Sequence, residues 1–111
     1  MIRIYATKRG EKHRLLVQGH AEKTGQGPLV CAAVSALCEA LGLYVGQSPD
    51  CRCVRHSADR GLTFLSYRAV GSETFDMTAQ ALHRLAVEYP QHVCFMGDGV
   101  DDRASAPVLS S

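Results

Sequence analysis

A histidine and a cysteine stand eleven positions apart in this chain, at His20 and Cys31. A cysteine attacks as its thiolate, and its ordinary pKa of about 8.5 falls beside a histidine or at a helix N-terminus. A histidine within hydrogen-bond reach takes the thiol proton and later gives it to a leaving group. The two residue types therefore suit nucleophilic catalysis, provided that the fold brings the side chains together.

The first two predicted strands place the histidine. Apolar and polar residues alternate over 2–6, and the run 14–18 is again rich in β-forming side chains, so both segments are predicted as strands. The basic stretch 8–13 joins them as a solvated hairpin tip. Gly19 ends the second strand and leaves His20 at its exit.

A loop and a helix place the cysteine. Residues 21–27 are polar and contain Gly25 and Gly27, which permit wide backbone freedom, so we predict a mobile loop that folds over a bound peptide. Pro28 suits the first turn of a helix, where its missing N–H costs nothing. Cys31 then lies in that first turn, where unpaired backbone N–H groups favour an anion.

The same helix offers two further candidate groups. The backbone amides of Cys31 and Ala32 are placed to stabilise an oxyanion on an attacked carbonyl. Ser35 lies one turn after Cys31 on the same helix face. Two interpretations of its hydroxyl stay open, because it can bond to the imidazole, the sulfur and nearby backbone of the site, or only to the carbonyl four residues earlier.

A second interpretation of the pair gives it no chemical role. Free cysteines usually behave as small hydrophobes, so Cys31 can be a core thiol and His20 a satisfied loop-edge histidine. Pairs at such separations also arise by chance. Spacing alone favours this interpretation. The predicted positions, at a strand exit and at a helix start, give the chemical interpretation additional support.

The helix that follows the loop is predicted over 29–44, with Gly42 or Gly46 ending it. It is nearly apolar all round. Such a helix must be covered on more than one side, so we expect a sheet on one face and a partner surface on another.

The second half of the chain weakly echoes the first. Strands are predicted over 51–56 and 62–69, and Ser72 caps a helix over 73–88 whose apolar residues recur every three or four positions. A last strand is predicted over 92–96.

These elements predict an α+β fold. Hairpin-linked strands imply a mostly antiparallel sheet of four to five strands, and two helices cover one of its faces in a two-layer sandwich with the order ββαββαβ. The single domain is predicted over 1–97, and 98–111 is predicted as a disordered tail.

The composition of the chain limits the classes of function that we expect. The 111 residues, of which 46% are hydrophobic and 21% charged, suit one small globular domain. A net charge of +1 gives no general attraction to nucleic acid or to an anionic membrane. Five cysteines, an odd number, fit a reducing compartment. We recognise no secretory signal and no apolar run that approaches the ~20 residues needed to span a bilayer, so a cytoplasmic location is expected.

Metal binding is not predicted. Cys51, Cys53 and His56 have the residue types of zinc ligands, but their spacing departs from the paired C-x₂₋₄-C pattern. Cys38 more simply packs in the core than serves as a third thiol. The acidic run 98–102 lacks the order of a calcium loop. We therefore expect no metal and no cofactor.

The remaining histidines and two aromatic residues receive structural interpretations. The histidines are interpreted as surface residues, and the aromatics as core or interface residues, although either aromatic can line a pocket for an aromatic side chain. They are His13, His83 and His92, and Tyr44 and Phe64.

Three segments together carry a resemblance to a known family. They are Gly19-His20-Ala21, then Val30-Cys31-Ala32-Ala33-Val34-Ser35-Ala36-Leu37, and finally Ala81-Leu82-His83-Arg84-Leu85-Ala86-Val87-Glu88-Tyr89-Pro90. This pattern resembles the ribosomal-processing cysteine protease family, Prp, over most of residues 1–97. The resemblance implies a cysteine endopeptidase, often dimeric, that removes an N-terminal extension from a large-subunit ribosomal protein by cutting after an aromatic residue.

The resemblance also implies residue roles. His20 and Cys31 match the family's catalytic dyad, and Ser35 matches its helix serine. Pro28 departs from the pattern, because the family usually has an aspartate three residues before the cysteine, and the loop is one residue shorter than usual. Glu22 is the nearest acidic residue that can take the place of that aspartate. Two alternatives follow, a catalytically weak relative that binds a peptide or protein, and a peptidase redirected to a phage structural protein.

Overall fold

The structure is a computed structural model that describes residues 1–97. Its elements are β1 (Ile2–Arg9), β2 (Lys12–Gly19), α1 (Gly27–Gln47), β3 (Arg52–Asp59), β4 (Leu62–Arg68), α2 (Glu73–Glu88) and β5 (Val93–Phe95). The predicted order ββαββαβ and the α+β class are confirmed. The tail predicted over 98–111 lies outside the described residues.

The five strands form one mixed sheet in the order β3-β4-β2-β1-β5. Neighbouring strands are antiparallel, except that β5 pairs in parallel with β1. The N–H of Ile2 donates to the carbonyl of His92 at 2.8 Å, and the N–H of Met96 donates to the carbonyl of Ile4 at 2.7 Å. Backbone bonds therefore hold both ends of the short β5 against β1.

One face of the sheet carries the hydrophobic core. Residues paired across strands share a face, so Ala6, Leu15 and Leu65 stack across β1, β2 and β4. Both helices contribute to the same buried cluster, α1 through Val30, Val34, Cys38, Leu41 and Val45, and α2 through Phe75, Ala79 and Leu82. The sheet and the helices thus form two layers around one core.

Helix α1 is longer than the sequence predicts at both ends. It starts at Gly27 and runs through Gly42 and Gly46 to Gln47, so the prediction that a glycine ends it is wrong. A Cβ at Gly42 would lie 2.6 Å from the imidazole of His56, so this glycine lets β3 approach the helix. The helix stops because Ser48 precedes a proline and adopts an extended conformation, with φ −76° and ψ 127°.

Only one side of α1 faces the core. Leu29, Leu43 and Tyr44 on the other side are 65%, 58% and 49% exposed. With 21 residues the helix is long and apolar enough, by length and composition alone, to cross a bilayer, so the expectation of no such run is wrong. Core helices of soluble domains meet the same criterion, and α1 packs its buried side into the common core.

The basic tip of the first hairpin is solvated as predicted at Arg9, Gly10 and Lys12, but the side chains at its two ends are covered. The ammonium of Lys8 donates to both carboxylate oxygens of Asp76 at 2.9 and 3.0 Å and to the hydroxyl of Ser72 at 3.2 Å. His13 is fully buried, which contradicts its interpretation as a surface residue. Helix α2 packs over this end of the sheet, with Asp76 on Lys8 and Phe75 on His13. Ser72 takes the predicted N-cap position, but its hydroxyl donates to Asp76 at 3.2 Å and forms no capping bond to the backbone.

Candidate active site

Glycine is needed where β2 turns towards the candidate base. Gly19 has φ +94°, and a Cβ on it would lie 2.2 Å from the carbonyl oxygen of Met1. An L side chain fits neither that conformation nor that space. The chain can therefore leave the sheet directly into His20, which is exposed to solvent.

A compact loop connects His20 to α1. A Cβ at Gly27 would lie 1.6 Å from the carbonyl oxygen of Glu22, and the N–H of Gly27 donates to the carbonyl of Thr24 at 3.1 Å. Gly27 is therefore the buried first residue of the helix and permits close backbone packing, whereas the sequence predicts it as a freely moving loop residue. Gly25 has φ +60° and no atom within 4 Å of an added Cβ, so its surroundings leave space for the predicted movement.

The early helix start moves the candidate nucleophile. Cys31 is the fifth residue of α1, so the prediction that it lies in the first turn is wrong. At this depth the backbone N–H groups of Cys31 and Ala32 bond to carbonyls four residues earlier in a regular α-helix. Ala32 is exposed and lines none of the cavities at this site, so the structure does not support its amide as an oxyanion donor.

A backbone amide from the other side of the loop reaches the sulfur instead. The N–H of Ala21 donates to Sγ of Cys31 at 3.4 Å. A donor at this point stabilises negative charge on sulfur, as a hydrogen bond to a charged acceptor does generally. The bond also fixes the residue after His20 against Cys31. Sequence reasoning missed this donor, because it depends on how the loop folds back.

His20 and Cys31 line the same cavity. Its volume is about 130 Å³, and its wall is formed by Ile2, Val17, Gly19, His20, Cys31, Val34, Ser35, Asp59, Gly61, Leu62 and Thr63. The structure therefore brings the predicted base and nucleophile to one place. It also brings in the β3–β4 hairpin, which the sequence predicts only as a connection between strands.

Ser35 lies on the wall of this cavity. Within residues 1–97 its hydroxyl forms no hydrogen bond, so neither of the two predicted arrangements is present. The residue is exposed and lies one turn after Cys31.

A second cavity, of about 470 Å³, opens on the outer side of the pair and is lined by His20, Ala21, Glu22, Lys23, Pro28, Cys31 and Arg60. Two carboxylates thus border the candidate dyad, Glu22 at this outer cavity and Asp59 at the inner one. Gly25 lines neither cavity.

A groove between α1 and β3 adjoins the inner cavity. It has a volume of about 570 Å³, and Ser35, Asp59 and Thr63 line both spaces. Glu39, the single charged residue of α1, also lines the groove.

The other candidate groups lie elsewhere, except that Cys38 and His56 line the groove described above. Among residues 1–97, no three His, Cys, Asp or Glu side chains converge closely enough to hold a metal ion. A bulge in β3 separates Arg52 from Arg55, and within it Cys53 has φ +55°. Burial raises the pKa of Cys38 to about 11. Tyr44 lines a separate cavity of about 580 Å³ with Cys51.

Comparisons with known proteins find similarity in the fold and none in a family model or a curated sequence. The ribosomal processing protease Prp from S. aureus, solved with a substrate peptide, superposes with a TM-score of 0.67 at 19% identity over 88% of this chain and 100% of that one. The same protease with a covalently linked product peptide gives 0.67 at 20% identity over 88% and 100%. SMU.848 from Streptococcus mutans gives 0.62 at 21% identity over 88% and 96%.

These three structures share the arrangement of helices and strands seen here, and they cover nearly all of the described residues. Sequence identity near 20% leaves residue roles to be argued from the site itself. The chain has the fold of the ribosomal processing protease Prp.

Proposed function

We propose that this protein is a cysteine endopeptidase with Cys31 as nucleophile and His20 as general base and acid. One observation carries the proposal: these two side chains, from a loop and from α1, line one cavity beside a groove of about 570 Å³. The amide of Ala21 on the sulfur supports it, because that donor stabilises the nucleophilic form.

The proposed reaction uses a single proton carrier. His20 accepts the thiol proton as Sγ of Cys31 forms a bond to the scissile carbonyl carbon, and the carbonyl oxygen takes the electron pair. His20 then gives that proton to the leaving amine as the C–N bond breaks, which leaves a thioester on Cys31. Water deprotonated by His20 releases the carboxylate product, and the proton returns to the thiolate.

The proposed substrate is a peptide segment, namely the N-terminal extension of a large-subunit ribosomal protein in the cytoplasm. The fold shared with Prp, which is solved with a substrate peptide, supports this choice. The groove between α1 and β3 supports it as well, because it offers about 570 Å³ of space beside the cavity of His20 and Cys31. The proposal needs no cofactor, no membrane and no direct contact with nucleic acid.

The decisive experiment supplies the extended ribosomal protein of the host. Purified wild type is incubated with it, beside Cys31→Ala and His20→Ala, and the products are identified by mass spectrometry. We expect one cleavage near the N-terminus by wild type and none by either variant. Cleavage by Cys31→Ala at the wild-type rate contradicts the proposal.

A second candidate function is binding without cleavage. Pro28 favours it, because this residue stands where the Prp pattern has an aspartate and supplies no carboxylate to the outer cavity. If wild type binds the extended protein but does not cut it, the binding function replaces the peptidase. Cleavage of a phage structural protein in place of the ribosomal one keeps the chemistry and changes the substrate.

The loop over 20–26 is proposed to tighten on substrate. Gly25 has space for movement, whereas Gly27 holds the far end of the loop against Glu22. We expect slower amide hydrogen exchange over residues 21–26 when Cys31→Ala is saturated with the peptide. Unchanged exchange there contradicts the idea.

A homodimer is also proposed, through the exposed side of α1. Leu29, Leu43 and Tyr44 leave apolar surface in solvent on a helix with one charged residue. We expect sedimentation to show a dimer and Leu43→Glu to shift it to monomer. A wild type that sediments as a monomer at 100-fold higher concentration than the assay uses contradicts this proposal.

A further inference from the structure

The tip of the β3–β4 hairpin packs against the imidazole of His20. A Cβ added at Gly61 would lie 2.7 Å from Nε2, 3.3 Å from Cε1 and 3.4 Å from Cδ2 of that ring. Real Cβ atoms essentially never approach another atom as closely as 2.7 Å, and Gly61 also has φ +75°. The ring therefore rests against a surface that only glycine provides.

The hairpin tip is also tied to the strand that carries His20. The N–H of Gly19 donates to the carbonyl oxygen of Gly61 at 2.8 Å. Within the turn, the carboxylate of Asp59 accepts from the N–H of Arg60 at 2.7 Å. The tip is thus tied to β2 by a backbone bond next to His20, and its own turn is closed by a side-chain bond.

We propose that Gly61 is a positioning residue that sets the orientation of the His20 imidazole towards Cys31. This inference rests on the proposed peptidase function. A β-carbon at position 61 pushes Nε2 away and rotates the ring within the cavity that it shares with Cys31. Misplacement of a reacting group by about 1 Å costs on the order of 100-fold in rate.

The chain offers a matched control at Gly10. This glycine lies at the tip of the β1–β2 hairpin with φ +54°, and an added Cβ has no atom within 4 Å. Alanine therefore meets a similar backbone penalty at both positions, since L residues disfavour positive φ. Only at Gly61 does the methyl group also meet His20.

The test compares Gly61→Ala with Gly10→Ala in the full chain. Three quantities are measured: kcat/KM for peptide cleavage, the pH dependence of Cys31 alkylation by iodoacetamide, and the NMR position and titration of the His20 ring signals. We expect Gly61→Ala to lose about 100-fold in kcat/KM and to shift both the alkylation profile and the His20 signals. Gly10→Ala should keep all three at wild-type values, while its melting temperature falls by a similar amount.

Asparagine tests the same contact with less backbone strain. Asn tolerates positive φ better than Ala but carries the same Cβ, so the pair Gly61→Asn and Gly10→Asn serves if an alanine variant does not fold. Equal His20 signals and equal alkylation profiles in the two members of a pair overturn the inference. Because those two readouts need no substrate, the result stands even where wild type cuts nothing and the peptidase proposal fails.

Discussion

His13 and His20 stand near opposite ends of β2, and their imidazoles meet opposite surroundings. His13 is 0% exposed, and neither ring nitrogen has a hydrogen-bond partner among the described residues. Its ring stacks on Tyr67 with centroids 4.7 Å apart and meets Phe75 edge-on at 5.1 Å. His20 is open to solvent and shares a cavity with Cys31.

This difference shows that two histidines near opposite ends of one strand can meet quite different surroundings. Desolvation by burial lowers the pKa of His13, which favours the neutral ring, and the ring packs as an aromatic group. His20 lies where chain turns and a hairpin tip hold it without covering it. A histidine's neighbours, more than its position in a strand, decide whether it supports chemistry or packing.

The largest expected effect separates the two rings by activity. His20→Ala should lower kcat/KM about 100- to 10,000-fold, the range for loss of a general base, with little change in melting temperature. His13→Phe keeps the aromatic packing and should leave kcat/KM within about twofold. The two variants are compared by peptide cleavage and thermal unfolding. Similar losses of activity in both would contradict the distinction between His13 and His20.

The next effect concerns the two cysteines on the inner side of α1. Because burial raises the pKa of Cys38 to about 11, and its side chain is only 5% exposed, iodoacetamide at pH 7.5 should label it at least about 100-fold more slowly than Cys31. Labelling is followed by mass spectrometry of each peptide. In 6 M urea the difference should vanish; a difference that survives unfolding would show that the fold is not its cause.

Acid should lower the stability of the fold through His13. Its pKa is lowered in the folded state, so below about pH 6.5 the unfolded chain binds more protons and the free energy of unfolding falls as pH falls. The slope from this group reaches at most about 1.4 kcal/mol per pH unit. Urea unfolding at pH 7.5, 6.0 and 5.0 should show a flatter dependence for His13→Phe than for wild type. Parallel curves for the two proteins would remove His13 as the source.

The smallest effect compares two ion pairs. Lys8 and Asp76 at the His13 end are 25% and 30% exposed, whereas Arg84 and Glu88 are 73% and 47% exposed. Lys8→Met should lower the free energy of unfolding by about 1 kcal/mol and Arg84→Met by about 0.3 kcal/mol, because solvent screens the second pair. Denaturant unfolding measures both, and the reverse ranking would contradict the burial argument.

Local patterns predict most of the fold but not its close contacts. The alternating residues of β1 and the apolar stripe of α2 identify their elements, because burial on one face repeats with the period of the backbone. The ends of α1 differ from prediction, since Gly27 and Gly42 serve tertiary packing against Glu22 and His56. A glycine that favours a helix end in isolation can lie within a helix when another element needs its space.

The candidate site shows the same division. Residue types and spacing select His20 and Cys31, and the structure brings them together. The donor at Ala21 and the contact at Gly61 join segments distant in sequence, so no local pattern predicts them. The turn composition Asp59-Arg60-Gly61 does indicate a glycine with positive φ, but it does not name the ring that this glycine meets.

The two edge strands of the sheet affect how readily the protein pairs with other chains. On one side β5 has only three residues, and on the other β3 is interrupted by the bulge at Cys53 and carries the positive charges of Arg52 and Arg55. Short, bent or charged edge strands offer few backbone groups for pairing with a strand of another molecule. Edge strands of this kind make the sheet a poor template for the growth of a fibre.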